Sequence, residues 1–199
     1  MTATTDAPVG APRRSRSVLI AAVAVGIVMM LLALLLFTRK NAEDRSTASP
    51  VLGTSAPALN GKPLQGEAFD IGTNDRWLLV NFFATWCVPC VEEHPQLRKL
   101  SEDGAVDGKV KVVSVVYGDQ PADVRRFFKS KGGDWTVLDS DNGRTALDWG
   151  VAKVPESFLV SPTGVVVTRY QGGVVASDIE RDIDQFEADA AAAGDGGGS

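Results

Sequence analysis

At 199 residues, with 20 basic and 25 acidic side chains and a formal net charge of −5, the chain has room for one domain with appendages. The charge is uneven: residues 1–45 hold six basic residues (Arg13, Arg14, Arg16, Arg39, Lys40, Arg45) against Asp6, Glu43 and Asp44, which leaves 14 basic and 22 acidic residues beyond. An acidic remainder without a Lys/Arg cluster argues against nucleic-acid binding, whose affinity rests on neutralising phosphates.

Residues 1–17, rich in Ala, Thr, Pro and Arg, read as a disordered cytoplasmic stub. Val18 to Phe37 (VLIAAVAVGIVMMLLALLLF) carries no charge. A helix of that length, about twenty residues, spans roughly 30 Å, the thickness of the bilayer's hydrocarbon core. A cleaved signal peptide is the rival reading, because Arg-Arg-Ser-Arg precedes the run. Signal peptides, however, have apolar regions of about 7–15 residues and a small-x-small cleavage site, whereas Thr38-Arg39-Lys40 follows here. The run is therefore read as one transmembrane helix, an uncleaved signal anchor. Basic residues flank both of its ends, so charge decides orientation poorly. A short basic N-terminus normally stays inside while a large C-terminal part is exported. The expectation is a single-pass protein of the cell membrane, with a cytoplasmic N-terminus and an extracytoplasmic domain.

Residues 38–50 form a polar tether, 51–186 the domain, and 187–199 a flexible tail, whose alanines are expected to extend a helix briefly before it frays in glycine. Within the domain, Trp77–Phe83 is a continuous apolar run, as expected of a strand buried on both faces. Pro89–Asp103 reads as a helix with Val91, Leu97 and Leu100 inward, and Lys109–Tyr117 is β-branched and strand-like. Pro121–Lys131 starts with a helix-favouring proline and stops at Gly132-Gly133. A short strand at Trp135–Leu138 and a short helix at Gly143–Trp149 follow. Ser157–Val160 and Gly164–Tyr170 read as a hairpin, and Ala176–Phe186 as a closing helix with Ile179, Ile183 and Phe186 on one face. Alternating βαβα followed by ββα gives an α/β domain with a mixed central sheet flanked by helices. That is the order of a thioredoxin-like fold with an extra βα insertion around Asp119–Gly150.

The only two cysteines, Cys87 and Cys90, lie between the first strand and the first helix of the domain. A dithiol couple requires this arrangement. A cysteine at a helix N-terminus meets unpaired N–H groups and the positive end of the dipole, which favour the attacking thiolate. The second cysteine, one turn on, can resolve a mixed disulfide. A structural staple is the other reading, but so small a loop restricts the unfolded chain little. His94, the only histidine, could join the two thiols in a metal site. Tetrahedral zinc takes four protein ligands or three plus water, and these could supply three; the preferred reading of His94 is an ordinary helix-surface residue, and no metal or cofactor is assigned.

The stretch Asn81-Phe-Phe-Ala-Thr-Trp-Cys-Val-Pro-Cys90, then Glu92-Glu93-His94-Pro95, then Val154-Pro-Glu-Ser-Phe-Leu-Val160 resembles the membrane-anchored TlpA/ResA/CcmG (DsbE) branch of the thioredoxin superfamily. The resemblance covers about residues 51–186. It implies an extracytoplasmic protein disulfide reductase, with apocytochrome c or an intermediary thiol protein as substrate and a membrane electron donor of the CcdA or DsbD type. Nothing suggests more than a monomer. The resemblance makes Cys87 the nucleophile and Cys90 the resolving thiol, with Glu93 near the pair as a carboxyl that exchanges the proton of Cys90. Pro155 matches the family's cis proline, which leaves the Val154 backbone open to a substrate strand. Trp86 and Glu156 are the remaining candidate substrate contacts. Pro95 matches a helix-kinking proline. The alternatives are a disulfide oxidase or isomerase of exported proteins, and a thiol-based metal carrier.

Overall fold

The structure, a computed structural model, describes residue 20, residues 22–32 and residues 49–195. The described residues fall into two units, one ending at residue 32 and one beginning at residue 49. In the first, residues 22–32 form helix α1, whose apolar side chains, Val23, Ile27 and Met30 among them, are exposed. Among the described residues no helix is long and apolar enough to cross a membrane. The expected anchor at 18–37 lies partly outside the described residues, and the stub at 1–17 wholly so.

The second unit is built on a six-stranded sheet in the order β1-β4-β3-β2-β5-β6. The strands are β1 (Pro63–Gln65), β2 (Trp77–Phe83), β3 (Val110–Val116), β4 (Thr136–Leu138), β5 (Glu156–Val160) and β6 (Val166–Gln171). β2, β3 and β4 run parallel, whereas β5, β6 and β1 pair antiparallel with their neighbours. β2 is flanked by β3 and β5 and covered on both faces, so every one of its residues is buried. That explains its unbroken apolar run, with Asn81 as the one polar intrusion.

The remaining helices are α2 (Val88–Asp107), α3 (Pro121–Lys131), α4 (Arg144–Asp148) and α5 (Ala176–Asp195). Alternate strand residues point to opposite faces, and each face has its own core. On one, Leu79, Phe83, Val112 and Val116 pack against Leu97 and Leu100 of α2, Val124 and Phe128 of α3, and Ile179 and Ile183 of α5. On the other, Leu78, Val80, Phe82, Val113 and Phe158 pack against Ala146 of α4, Trp149, and Val51 and Leu59 of the leading segment. The mixed sheet with helices on both sides is the expected thioredoxin-like architecture, with α3, β4 and α4 between β3 and β5. α2 reaches its strand closely because residue 104 is glycine: a Cβ there would collide with the Val110 carbonyl. Its end is set by Gly108, at φ 72°, in the left-handed region that favours glycine.

Two elements differ from expectation. β1 has no sequence signature, being three residues held at the edge by β4 and by Gln65 Nε2, which donates to the carbonyls of Gly133 and Trp135. α5 continues past Phe186 through the tail's alanines as expected, but reaches Asp195 rather than ending after a brief extension.

Candidate active site

β2 stops at Phe83, and a turn closed by Cys87 N–H on the Ala84 carbonyl (3.2 Å) delivers the chain to α2. The turn is pinned from the side. Asp119, in the loop after β3, accepts from both the backbone N–H and the hydroxyl of Thr85 on one oxygen, each at 2.6 Å. Trp86 Nε1 donates to the Gly118 carbonyl at 3.2 Å.

Cys87 is the N-cap of α2, and its Sγ accepts the N–H of Cys90 at 3.3 Å. It holds the place where a serine or aspartate oxygen usually satisfies a first-turn donor. A thiolate there has a hydrogen bond and the helix dipole in its favour. Pro89 in the same turn contributes no N–H. Cys87 and Cys90 form a disulfide, and both are buried. Trp86 and Val88 on either side of Cys87 are 60% and 67% exposed, so an apolar shoulder surrounds the sulfur a partner would approach.

Glu93 sits one turn beyond Cys90 on the same side of α2 and is 3% exposed. Its two oxygens are held separately: Asn81 Nδ2 donates to Oε1 and the Val174 N–H to Oε2, each at 2.9 Å. Burial pushes its pKa up to about 7, against those two donors, which pull it down. A carboxyl titrating there can take or give a proton near neutral pH. Glu92, its neighbour, is exposed.

The peptide bond between Val154 and Pro155 is cis. Val154 is half-buried against the same core as the two cysteines, and the Pro155 carbonyl accepts from Gly172 at 3.0 Å. The loop that follows also supplies the Val174 donor to Glu93, and Ala176 N–H reaches Gln96 Oε1 of α2 at 3.2 Å. Thus one segment, 172–176, ties the proline loop to the cysteine-bearing helix.

Two expectations need correction. Glu156, a candidate substrate contact, is fully buried: its register opposite Phe82 turns it to the face away from Asn81 and Glu93. There Arg169, itself 6% exposed, holds it at 2.8 Å. A docked partner does not reach this carboxylate. His94, expected on the helix surface, is buried edge-on against Phe127 and Phe128, with ring centroids at 4.7 and 5.3 Å. Its Nε2 meets the Gly132 carbonyl at 2.9 Å, and burial lowers its pKa. Its covers come from the α3 insertion, which its own helix periodicity does not reveal. Among the described residues no three His, Cys, Asp or Glu side chains are gathered as metal ligands.

Asn81 is the functional candidate that motif reading passed over. Around it, Ser114, Ser157 and the Trp135 indole complete a buried polar network. The available signal was an amide inside an otherwise apolar strand, since buried polar groups demand partners.

The family model described as Redoxin matches residues 52–192. The thiol:disulfide interchange protein HelX of Rhodobacter capsulatus is 36% identical over 152 residues, covering 74% of this chain and 84% of that protein. The thiol-disulfide oxidoreductase ResA of Bacillus subtilis is 31% identical over 157 residues, 77% and 86% of the respective chains. Among solved structures, a thioredoxin-family thiol:disulfide interchange protein from Chlorobium tepidum superposes with a TM-score of 0.59 at 27% identity, over 67% of this chain and 95% of its own. A chain with this fold, a Cys-x-x-Cys capping α2 and these relatives belongs to the redoxin family of the thioredoxin superfamily, alongside the thiol:disulfide interchange proteins.

Proposed function

We propose that this protein is an extracytoplasmic thiol–disulfide oxidoreductase working in the reducing direction on exported proteins. The observation that carries the proposal is the Cys87 sulfur at the α2 N-cap, with Cys90 one turn behind it and the Glu93 carboxyl buried beyond. In the reduced protein the Cys87 thiolate attacks one sulfur of a substrate disulfide, and the other sulfur leaves as a thiolate. Cys90 then gives its proton to the Glu93 carboxylate and attacks Cys87, expelling the second substrate thiolate. The substrate gains two electrons, and the pair ends as the Cys87–Cys90 disulfide seen in the structure. Val154 packs against the core cluster that holds both cysteines, and Trp86 is exposed next to Cys87; an extended substrate segment would lie against these residues.

The substrate we favour is the oxidised Cys-x-x-Cys-His site of apocytochrome c, or a thiol protein that relays electrons to it. The recharging partner is a membrane electron carrier of the CcdA or DsbD type. The resemblance to the TlpA/ResA/CcmG branch supports this, as does the naming of HelX and ResA for thiol–disulfide chemistry. We further propose that residues 18–37 anchor the chain as a single-pass helix with the domain outside and the protein monomeric; the charge-free run and the exposed apolar surface of α1 support the anchor. Tethering would raise the domain's effective concentration near the carrier.

The test is a trap. Cys90→Ala protein, reduced and mixed with a disulfide-bonded Cys-x-x-Cys-His peptide, should accumulate a Cys87-linked mixed disulfide, while wild type releases dithiol peptide. Release of dithiol peptide by Cys90→Ala at the wild-type rate, with no adduct, would refute the assignment.

A further inference from the structure

The polar groups behind the disulfide form a chain whose direction can be worked out atom by atom. An indole nitrogen only donates, so Trp135 Nε1–H, 2.8 Å from Ser114 Oγ, makes that oxygen an acceptor. Ser114 is 1% exposed and finds an acceptor for its own proton in Asn81 Oδ1, at 3.3 Å. That contact fixes which way the Asn81 amide faces. Its nitrogen points away from Ser114 and donates to Glu93 Oε1 at 2.9 Å and to Ser157 Oγ at 3.0 Å. Along the line from Trp135 through Ser114 and Asn81 to Glu93 each donor points toward the carboxyl, with the Ser157 bond as a side branch, so each bond of the line polarises the next.

We infer that Asn81 is a positioning residue for the Glu93 carboxyl, and that Ser114 and Trp135 hold its amide so that an N–H, not a carbonyl, faces Glu93. The inference rests on the reading that Glu93 takes the proton of Cys90, and it names what readies Glu93 for that task. With the N–H in place the ionised form has a donor on each oxygen. With the amide reversed, the Asn81 carbonyl would face a carboxylate, and Glu93 would hold its proton and lose its use as a base. The other groups around Glu93 do not compensate. β2, β3 and β5 present neutral Asn81, Ser114 and Ser157, and the loop before α5 presents the Gly173 and Val174 backbone. On α2, Glu92 is exposed and His94 turns to Phe127. Among the described residues, the remaining titratable groups of this stretch of α2 are Cys87 and Cys90 when reduced. Burial, Val174 and Asn81 set the proton affinity of Glu93.

The test is Ser114→Ala, because Ser114 makes no hydrogen bond to Glu93. The full-length protein in detergent micelles, kept oxidised so that neither cysteine titrates, is followed by the 13C shift of the Glu93 side-chain carboxyl, assigned by its loss in Glu93→Gln. The Glu93 midpoint should rise, by at most about one to two pH units, the worth of the one hydrogen bond that Asn81 gives the charged carboxyl and that Ser114 only holds in place. Ser114→Thr, which keeps the hydroxyl, should restore it. Trp135→Phe, which keeps an aromatic ring of smaller size and removes the indole N–H, should move it the same way by less, and serves if Ser114→Ala fails to fold. Val113→Ala, on the same strand but facing the opposite core, is the control for general loosening. An unmoved midpoint in Ser114→Ala and Trp135→Phe, or an equal movement in Val113→Ala, would overturn the inference. The titration is independent of electron direction, so a reduction potential that defeats the reductase reading leaves this result interpretable.

Discussion

Replacing Glu93 by Gln should make the protein more stable at alkaline pH and alter its stability little in acid. The carboxyl is 3% exposed, and burial raises its pKa from the usual value near 4.5 to about 7 in the folded protein. The folded state therefore holds a proton that the unfolded state has lost between those two values. An acid with a raised folded pKa has the opposite sign to a salt-bridged carboxylate: its ionisation weakens the fold as pH rises. Below pH 4.5 there is no cost. Above pH 7 the cost is complete, and at 1.36 kcal/mol per pKa unit a difference of about 2.5 makes it about 3 kcal/mol. Glutamine keeps the shape and cannot ionise. Urea unfolding of the oxidised proteins at pH 4.5, 6 and 8.5 gives the measurement. The stability of Glu93→Gln minus that of wild type should grow by about 3 kcal/mol from the first pH to the last. The other carboxylates are common to both proteins and cancel. A difference that stays constant with pH would show that Glu93 is not strained by burial, and would remove the basis for its role as a base near neutrality.

Burial lowers the pKa of His94 from its usual 6.5, so its unfolded state takes up a proton that the folded state resists. Wild type should lose stability as pH falls through 6.5, and His94→Gln should lack that component; parallel unfolding curves against pH for the two proteins would contradict it. Arg169→Met strands the Glu156 carboxylate in the core, at a cost of about 3–5 kcal/mol, and Glu156→Leu added to it should regain most of the loss. Equal losses in the single and double variants, read by denaturant melts, would mean that the pair does not act as one unit.

The elements that could be read from the chain are those whose own residues carry the pattern. β2 shows itself by an apolar run closed off by the cysteine turn, and α3 by a starting proline and a stopping glycine pair. β1 could not be read, since three residues at a sheet edge take their conformation from β4. The site divides the same way. Cys87, Cys90 and Glu93 share one helix, so spacing alone places them together. The burial of His94 depends on Phe127 and Phe128 of the next helix. Glu156 sits one residue from the site proline in sequence, yet strand alternation turns it to the opposite core. Asn81 was visible as a polar residue in a buried strand, but its partners on β3 and β5 appear only once the register is known.

Whether Cys87 and Cys90 deliver electrons or withdraw them is decided by the reduction potential of their couple. The full-length protein in micelles can be equilibrated with defined thiol/disulfide buffers and its thiols counted after quenching. A reductase should lie near or below about −220 mV, toward thioredoxin. A value near about −120 mV, that of a strong disulfide donor, would contradict the account and reverse the direction of transfer.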